Sequence, residues 1–268
     1  MANDNFSVTV IIPVHSRPEL LLETIKSVYL QKGNLKIKVI VVDDHSPVPI
    51  TKLLHDSFAK IRVIRNKKVL KSGPTRNQAI KFIDTDFVAF LDADDIWNPD
   101  FLSTSIAELS RGNYVGSIAM STPIFDKDMS FGFKTKIYFL SWIRNFFQIV
   151  FYLFYSKTMP QEAFYLCQLS HQVYKADRIN GLLFDPKYNF GGEDWKFALE
   201  VMDRGKIIII PRMLIKYRYH KKSTTLLNYN LTRKWASYRQ LFGELKKRKM
   251  GGIMVWLFNK YIDIFKSG

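Results

Sequence analysis

The chain has a single cysteine, Cys167, among its 268 residues. One thiol cannot form an intrachain disulfide, which excludes a small disulfide-stabilised fold and favours a reducing compartment. No Cys/His spacing indicates a zinc site. The first six residues are polar, so no secretory signal is expected there, and internal repeats are absent. Stability must therefore come from a packed hydrophobic core, which a chain of this length can build.

Glycine-rich phosphate loops are also missing. No Gly-x-Gly-x-x-Gly follows the first predicted strand, residues 8–14, so a dinucleotide cofactor is not expected. No Gly-x-x-x-x-Gly-Lys-Ser/Thr is present either, so a P-loop is not expected. Any nucleotide phosphate that this chain binds must be held by other groups.

Acidic residues are fewer than basic ones. The chain has 24 Asp and Glu against 40 Lys and Arg, which gives a net charge of +16 and a pI near 9.7. Such a balance favours an anionic partner: nucleic acid, nucleotide phosphates or an anionic membrane. Aromatic residues make up 15% of the chain, a high share for a globular protein.

Apolar runs alternate with segments of helical periodicity in the N-terminal half. Continuously apolar strands belong to parallel sheets that are covered on both faces, and strand–helix alternation predicts a Rossmann-like layered α/β fold. Ser16, with Glu19 three residues later, predicts a capping box for the first helix, and Pro18 suits its first turn. The predicted strands are residues 8–14, 37–42, 62–64 and 87–91, and later helices are predicted at 74–83 and 99–109.

Polar residues follow three of the predicted strands, at positions 15–17, 43–46 and 92–95. Ligands of such sheets bind beyond the carboxyl ends of the strands, so all three groups should face one crevice. Asp92 and Asp94 repel each other and are costly to desolvate, but their oxygens suit a divalent cation that carries a diphosphate. The alternative is a strand that ends in a solvated acidic turn.

Five short motifs, in this order and spacing, resemble glycosyltransferase family 2, whose fold is GT-A. They are residues 10–14, 41–46, 73–77, 90–95 and 192–195, and the resemblance extends over about residues 7 to 225. It implies a Rossmann-like, mostly parallel sheet with helices on both faces. It also implies a nucleotide-binding half, about residues 1–115, and an acceptor half, about residues 116–225.

The resemblance assigns one set of residues to the sugar-nucleotide donor. Asp44 would hold the base and ribose, with Asp43 structural, although Asp44 could instead cap a helix. Arg76 would lie near the diphosphate, although it could be a solvated helix residue. The donor-binding set is Pro13, Val14, His15, Arg17, Asp44, Arg76, Asp92, Ala93 and Arg218.

A metal site is implied at Asp94, with His220 as a second ligand. The cation would be Mn²⁺ or Mg²⁺, and it would neutralise the leaving diphosphate. His220 could also be an ordinary surface or satisfied residue. Asp95 is expected either to extend this cluster or to cap the next helix.

The resemblance makes Asp194 the catalytic base, with Glu193 sharing the work or contacting a sugar. A base that deprotonates the acceptor hydroxyl, with no covalent intermediate, gives inversion at the anomeric carbon. The alternative for Asp194 is the N-cap of a helix that begins at Trp195.

Two positions depart from the family pattern. His15 and Ser16 stand where an aromatic residue and an asparagine are usual, and His15 could stack on the base. His45 replaces a glycine; if that position needs a positive φ, histidine is among the better substitutes.

Two segments favour a membrane. In residues 137–155 the polar side chains fall on one helical stripe, which predicts an amphipathic helix in the interface or against a partner; a core helix is the alternative. Residues 226–268 combine basic clusters with an apolar aromatic segment, which predicts a C-terminal amphipathic helical tail attached to anionic lipid.

Together these features predict a metal-dependent inverting glycosyltransferase, peripheral on the cytoplasmic face of the cell membrane. Its donor would be a nucleoside diphosphate sugar, with UDP favoured, and its acceptor a glycan or lipid-linked hydroxyl. One alternative is a sugar nucleotidyltransferase, which would favour a glycine-rich phosphate loop. Another is a non-enzymatic basic protein that binds membrane or nucleic acid. Nucleic acid is not expected as a partner, because the acids cluster at strand ends and the cations mainly in the tail.

Overall fold

The computed structural model describes residues 5–57, 60–160, 168–188 and 191–220, together with Gly243. Strands and helices alternate through the first half, as the apolar periodicity predicts. The elements in chain order are β1 (Phe6–Val14), α1 (Pro18–Tyr29), β2 (Leu35–Asp43), α2 (Ile50–Ser57), β3 (Arg62–Arg65), α3 (Ser72–Ile80), β4 (Phe87–Phe90), β5 (Ile96–Trp97), α4 (Phe101–Ser110), β6 (Tyr114–Phe125), α5 (Phe131–Phe154), β7 (Gln172–Lys175), α6 (Ala176–Ile179), α7 (Glu193–Met202) and β8 (Lys206–Tyr219).

These strands form one eight-stranded sheet in the order β3-β2-β1-β4-β7-β6-β8-β5. The first four strands are all parallel, so their carboxyl ends lie at one edge. Beyond β4 the sheet is mixed, because β7 runs antiparallel to both of its neighbours while β6 and β8 pair in parallel. The predicted α/β sheet is confirmed, and its mostly parallel character holds on the side of β1 to β4.

Two hydrophobic cores cover the two faces of the sheet. Alternate residues of β1 and β2 divide between them: Ile11 and Ile40 face one core, whereas Val10 and Val41 face the other. This period of two is the geometry of a strand buried on both sides. Helices α3, α5 and α7 contribute to the first core, and α1, α2 and α4 to the second.

The predicted capping box at the start of α1 is wrong. Arg17, in the left-handed conformation with φ 58°, precedes the helix, and no side chain caps it. Ser16 also has a positive φ, of 76°, and its N–H donates to the Ser46 hydroxyl at 3.0 Å. This contact joins Ser16 to the loop after β2, and the positive φ values of Ser16 and Arg17 differ from the extended conformation that a side-chain N-cap normally has. Pro18 does occupy the first helical turn.

The apolar helix predicted at residues 137–155 is α5, a helix of 24 residues that packs on β6 and β8. It is long and apolar enough to cross a membrane by length and composition, with a third of its most apolar stretch buried. Its polar stripe faces the protein. The predicted C-terminal tail lies outside the described residues apart from Gly243, and the proposed domain limits stay a prediction.

Candidate active site

The acidic loop after β4 is held in place by backbone groups and by Ser170. Leu91 N donates to Ile11 O at 3.0 Å, which continues the sheet to the last residue before the acids. Asp92 N donates to the Ser170 hydroxyl at 3.1 Å, and Ser170 O accepts a bond from Trp97 Nε1 at 2.8 Å. The loop therefore presents Asp92 and Asp94 from a rigid support.

Asp94, His220 and Arg17 converge at the carboxyl edge of the sheet. His220 Nε2 is 2.8 Å from Asp94 Oδ2, and the imidazole is almost entirely buried. Arg17 Nη1 is 3.5 Å from the same carboxylate oxygen and also contacts the His220 ring. Residues separated by about 200 positions thus meet at the site where a metal was predicted.

Asp95 does not cap a helix, so that alternative is wrong. Its carboxyl group is buried and accepts the backbone N–H of Arg218 at 3.0 Å, which ties the acidic loop to β8. Burial, with the charges of Asp94 and Asp92, raises its pKa well above the ordinary value. A carboxyl group in this position favours its neutral form.

Arg218 is bound to the acidic loop and to α1. Its Nε donates to Asp94 O at 2.9 Å and its Nη2 to Glu23 Oε2 at 2.5 Å. The guanidinium therefore holds the loop on which Asp94 lies, and its charge adds to the crevice from that position. Its predicted contact with the donor stays a prediction.

Arg76 lies between the two acidic groups of the crevice. It is buried on α3, with Nη2 2.5 Å from Asp92 Oδ1 and Nη1 3.8 Å from Glu193 Oε1. Its guanidinium also faces the Phe184 ring, 5.4 Å from the centroid. Arg76 is therefore not a solvated helix residue, because its charge is committed to the centre of the site.

The acid pair Glu193 and Asp194 opens α7 after a glycine turn. Gly191 has φ 131° and Gly192 φ 89°, conformations that L side chains rarely adopt, so glycine is required here. The helix begins at Glu193 rather than Trp195, and Gly192 occupies the N-cap position. Asp194 Oδ1 accepts the N–H of Trp195 at 2.9 Å, which places its carboxylate at the positive end of the helix.

Gly73 lets α3 approach this acid pair closely. A Cβ atom at Gly73 would lie 3.2 Å from Phe184 Cβ and 3.4 Å from Glu193 Cγ. The absence of a side chain thus brings Arg76, three residues later on α3, within reach of Glu193.

Burial raises the pKa of both loop acids. The pKa of Asp194 rises to about 7, first because the carboxyl group is desolvated and next because Glu193 is a neighbouring charge. Hydrogen bonding from Trp195 and the charge of Arg76 oppose the rise. The pKa of Glu193 is also raised by burial, and Arg76 opposes that shift. A carboxylate that titrates near neutral pH suits a general base.

Asp43 is structural, as expected. Its buried carboxylate accepts Ser46 N at 2.8 Å and Ile50 N at 3.3 Å, and it pairs with Arg65. Burial alone would raise its pKa, but hydrogen bonds from these three partners lower it below the ordinary value.

Asp44 is not the N-cap residue of a described helix. Its side chain holds the loop before α3, whose N-cap position is occupied by Lys71. Its oxygens accept Leu70 N at 2.7 Å and Lys71 N at 2.8 Å, and Asn66 Nδ2 donates to it at 2.8 Å. The base-binding role assigned to Asp44 stays a prediction. The carboxylate lies at the correct edge of the sheet, since Asp44 N donates to Val14 O at 2.7 Å.

The end of β1 brings its predicted donor-binding residues to the same edge. Pro13 and Val14 are the last two residues of the strand. His15 is exposed, and its Nδ1 lies 2.7 Å from Asp44 O, so the ring is placed beside the crevice. His45 has φ 58°. The position where the family usually has a glycine therefore does have a positive φ, and here a histidine adopts it.

A comparison with protein families decides the family of the chain. The model of Glycosyl transferase family 2 matches residues 9–169, more than half of the chain. The chain belongs to Glycosyl transferase family 2. The GT-A fold and the sequence-based assignment to this family are thereby confirmed.

Relatives of this glycosyltransferase include two proteins of named function. The succinoglycan biosynthesis protein ExoW of Rhizobium meliloti is 36% identical over 110 residues, which are 38% of this chain and 34% of that protein. The UDP-Glc:alpha-D-GlcNAc-diphosphoundecaprenol beta-1,3-glucosyltransferase WfgD of Escherichia coli is 29% identical over 110 residues, 41% of this chain and 44% of that protein. The chain thus spans less than half the length of these relatives.

The S. aureus TarS fragment 1–349, solved in complex with UDP-GlcNAc, has a similar fold. The TM-score is 0.67 at 16% identity, over 89% of this chain and 66% of that one. At this identity the likeness concerns the fold alone, and it extends well beyond the 110 residues that align with the curated relatives.

Several residues that organise the glycosyltransferase site carry no sequence signal of their own. Ser170 holds the acidic loop, Asn66 holds Asp44, and Glu23 pairs with Arg218. Each lies far in sequence from its partner, so no local spacing indicates the contact. Only the predicted convergence of strand ends pointed to this edge.

Proposed function

We propose that this glycosyltransferase transfers one sugar from a nucleoside diphosphate sugar, with UDP favoured, to an acceptor hydroxyl with inversion, and that it uses a divalent metal. The observation that carries the proposal is the pairing of two acidic groups across buried Arg76. Arg76 contacts Asp92, two residues before Asp94 on the acidic loop, and Glu193, which Asp194 follows directly. A donor diphosphate and an acceptor hydroxyl need these two kinds of group within one crevice.

The relatives support the class of donor. The name of WfgD gives UDP-Glc as its donor, and TarS was crystallised with UDP-GlcNAc. The positive charge of Arg17 at the carboxyl edge suits the diphosphate of such a molecule. We therefore favour UDP over other nucleotides.

The residues at the carboxyl edge fit a Mn²⁺ or Mg²⁺ ion. Asp94 supplies a carboxylate oxygen and His220 a ring nitrogen, 2.8 Å apart. The described residues place no third acidic, histidine or cysteine ligand beside them. Two protein ligands are sufficient, because these ions commonly complete their shell with substrate phosphates and water. When bound, the ion would neutralise charge that develops on the leaving diphosphate.

Asp194 performs the proton transfer in this mechanism. Its carboxylate takes the proton of the acceptor hydroxyl as the hydroxyl oxygen bonds to the anomeric carbon. The bond from that carbon to the diphosphate oxygen breaks, and the nucleoside diphosphate leaves with the electron pair. A pKa of about 7 leaves much of Asp194 ionised at neutral pH while keeping it basic enough to accept the proton.

We place the acceptor on a glycan or lipid-linked intermediate of surface polysaccharide synthesis, at the cytoplasmic face of the membrane. ExoW is named for succinoglycan biosynthesis, and the name of WfgD gives an acceptor linked to diphosphoundecaprenol. The basic and aromatic residues 226–268 support attachment to anionic lipid.

Deleting residues 251–268 should weaken sedimentation with anionic liposomes, and undiminished sedimentation would rule out the tail as an anchor.

A screen for donor hydrolysis tests the proposed reaction. The protein is incubated with a panel of nucleotide sugars and Mn²⁺, and the release of nucleoside diphosphate is measured. We expect UDP release from one UDP-sugar, reduced by chelation of the metal. A sugar nucleotidyltransferase would instead release pyrophosphate from a nucleoside triphosphate and a sugar phosphate, and that result would replace the proposal.

A further inference from the structure

Helix α5 is amphipathic, but its polar side faces the protein and its apolar side faces outward, the reverse of an ordinary surface helix. Ser141, Arg144, Asn145 and Gln148 are all buried. Arg144 Nη1 donates to Gln168 Oε1 at 3.0 Å, and Asn145 Nδ2 donates to the Ser121 carbonyl at 3.0 Å. These bonds fasten the helix to β6 and to the segment that precedes β7. The helix therefore does not cross a bilayer by itself, because Arg144 and Asn145 are buried against the folded domain and bond to it.

The outer side of α5 is an apolar stripe: Phe139, Trp142, Phe146, Ile149 and Leu153. Their spacings of three, four, three and four residues place them on one helical face. Their exposed fractions are 61%, 62%, 48%, 41% and 66%. The Trp142 ring stacks between Phe139 and Phe146, with centroid distances of 6.4 and 5.6 Å. A soluble monomer rarely leaves such a continuous apolar surface without an occupant.

Charge decides which occupant fits. Between residues 131 and 160 there is no Asp or Glu, and Lys134, Lys136 and Lys157 flank the stripe at its two ends. Within residues 137–156, all of which the structure describes, Arg144 is the one charged residue and it is buried. A seam between two copies of a helix normally has charged residues along both sides, which select the partner. An uncharged aromatic face between lysines suits the headgroup and acyl boundary of an anionic bilayer instead.

The position of α5 relates this face to the active site. At its start, Phe133 packs against Tyr219, with ring centroids 6.4 Å apart. Tyr219 is followed directly by His220, the proposed metal ligand. After the helix ends, Ile209 N near the start of β8 donates to Lys157 O at 2.8 Å. The helix thus runs along β8 from the active-site edge to its opposite end.

We propose that α5 is a membrane-docking helix whose apolar stripe inserts into the surface of an anionic bilayer. Docking through this face holds the crevice beside the lipid surface, where an acceptor attached to a membrane lipid presents its sugar hydroxyl. The docking itself rests on the exposed stripe and its flanking lysines. The part that concerns the acceptor rests on the proposed function.

The test compares the full chain with a stripe variant on vesicles of phosphatidylglycerol and phosphatidylcholine. The variant carries F139Q, W142Q and F146Q. The matched control carries Y29Q, L30Q and V48Q, which remove three exposed apolar side chains far from α5 in sequence. We expect the stripe variant to partition onto vesicles about tenfold or more weakly than wild type, and the control to be unchanged. Equal partitioning of the stripe variant and wild type would overturn the proposal.

A second measurement does not depend on the folding of the stripe variant. In the full chain with W235F and W256F, brominated lipids should quench Trp142 fluorescence, and adding W142F should remove that quenching. Absence of quenching contradicts insertion. A third result would assign the face to a second copy of the chain instead. In that case wild type forms a dimer in solution without vesicles, the stripe variant does not, and both bind vesicles equally.

The two proposals can fail separately. Vesicle binding requires no donor and no turnover, and donor hydrolysis by water requires no lipid. If hydrolysis is absent but the stripe inserts, the proposed reaction fails and the docking surface stands. If hydrolysis occurs at the wild-type rate while no insertion is seen, the docking surface fails alone.

Discussion

The crevice has two pairs of carboxylates, Asp92 with Asp94 and Glu193 with Asp194, and the two pairs are supported differently. Asp92 and Asp94 follow a buried strand, and each forms a direct ion pair: Asp92 with Arg76, and Asp94 with Arg17. Glu193 and Asp194 follow a glycine turn and share Arg76 with Asp92. Asp92 and Asp94 therefore each have a direct ion pair, whereas the loop acids have only the more distant Arg76, 3.8 Å from Glu193 and already paired with Asp92.

This difference separates two chemical tasks. Carboxylates held in ion pairs at a strand end suit a metal or a diphosphate. A desolvated pair with too few cations has raised pKa values and suits proton transfer. The fold obtains both behaviours by changing burial and the number of neighbouring cations.

The largest expected effect is on Asp194. Asp194→Asn keeps the shape of the side chain but removes the base, so turnover should fall roughly a thousandfold. Affinity for UDP and Mn²⁺ should be unchanged, as measured by calorimetry. E200Q, on the same helix α7 but paired with Lys196, is the matched control and should keep wild-type turnover. Full turnover in D194N would remove Asp194 from the base role.

Substitution of the strand-end acid Asp94 should change metal-dependent binding of the nucleotide. Asp94→Ala should weaken Mn²⁺-dependent UDP binding by about tenfold or more, because it removes the proposed carboxylate ligand. D84A serves as the control, since Asp84 is an exposed carboxylate paired with Lys38. If wild type binds UDP equally with and without Mn²⁺, the metal role of Asp94 is refuted.

The pH dependence sharpens the comparison further. Asp194 must be deprotonated to act, so the rate should rise about tenfold per pH unit below 7 and level off above it. Glu193→Gln removes the neighbouring charge that raises the pKa of Asp194. Its rate profile should therefore shift to lower pH. A profile that stays in place would show that Glu193 does not act on the base electrostatically.

The smallest expected effect is on stability. The folded-state pKa of Asp194 lies above its unfolded value, so the folded state binds more protons between pH 3.8 and about 7. Stability is therefore lost as the pH rises through this window. Asn never ionises, so D194N should have a melting temperature a few degrees above wild type at pH 8 and no such advantage at pH 3.5. Equal melting temperatures at pH 8 would indicate that the carboxylate is not desolvated.

Local patterns were sufficient for the elements but not for their contacts. The apolar runs located β1, β2 and β4 to within two residues, because burial on both faces requires continuous apolar sequence. The capping box at Ser16 was wrong, since a contact with Ser46 places the loop elsewhere. The sequence predicted the stripe of polar residues on α5, but it did not predict that this stripe faces the protein. Periodicity identifies a face and cannot say whether that face meets protein or solvent.

By itself the sequence determined that parallel strands end in acids and that a second acid pair follows two glycines, because apolar runs and the backbone freedom of glycine are local features of the chain. Only the tertiary structure decided which charges neutralise each other. Arg76 reaches both acidic groups because Gly73 lets α3 approach α7, and His220 meets Asp94 because β8 ends at the edge where β4 ends. Such contacts join residues that are far apart in the chain, and electrostatic energy depends on distances in space rather than on spacing in sequence.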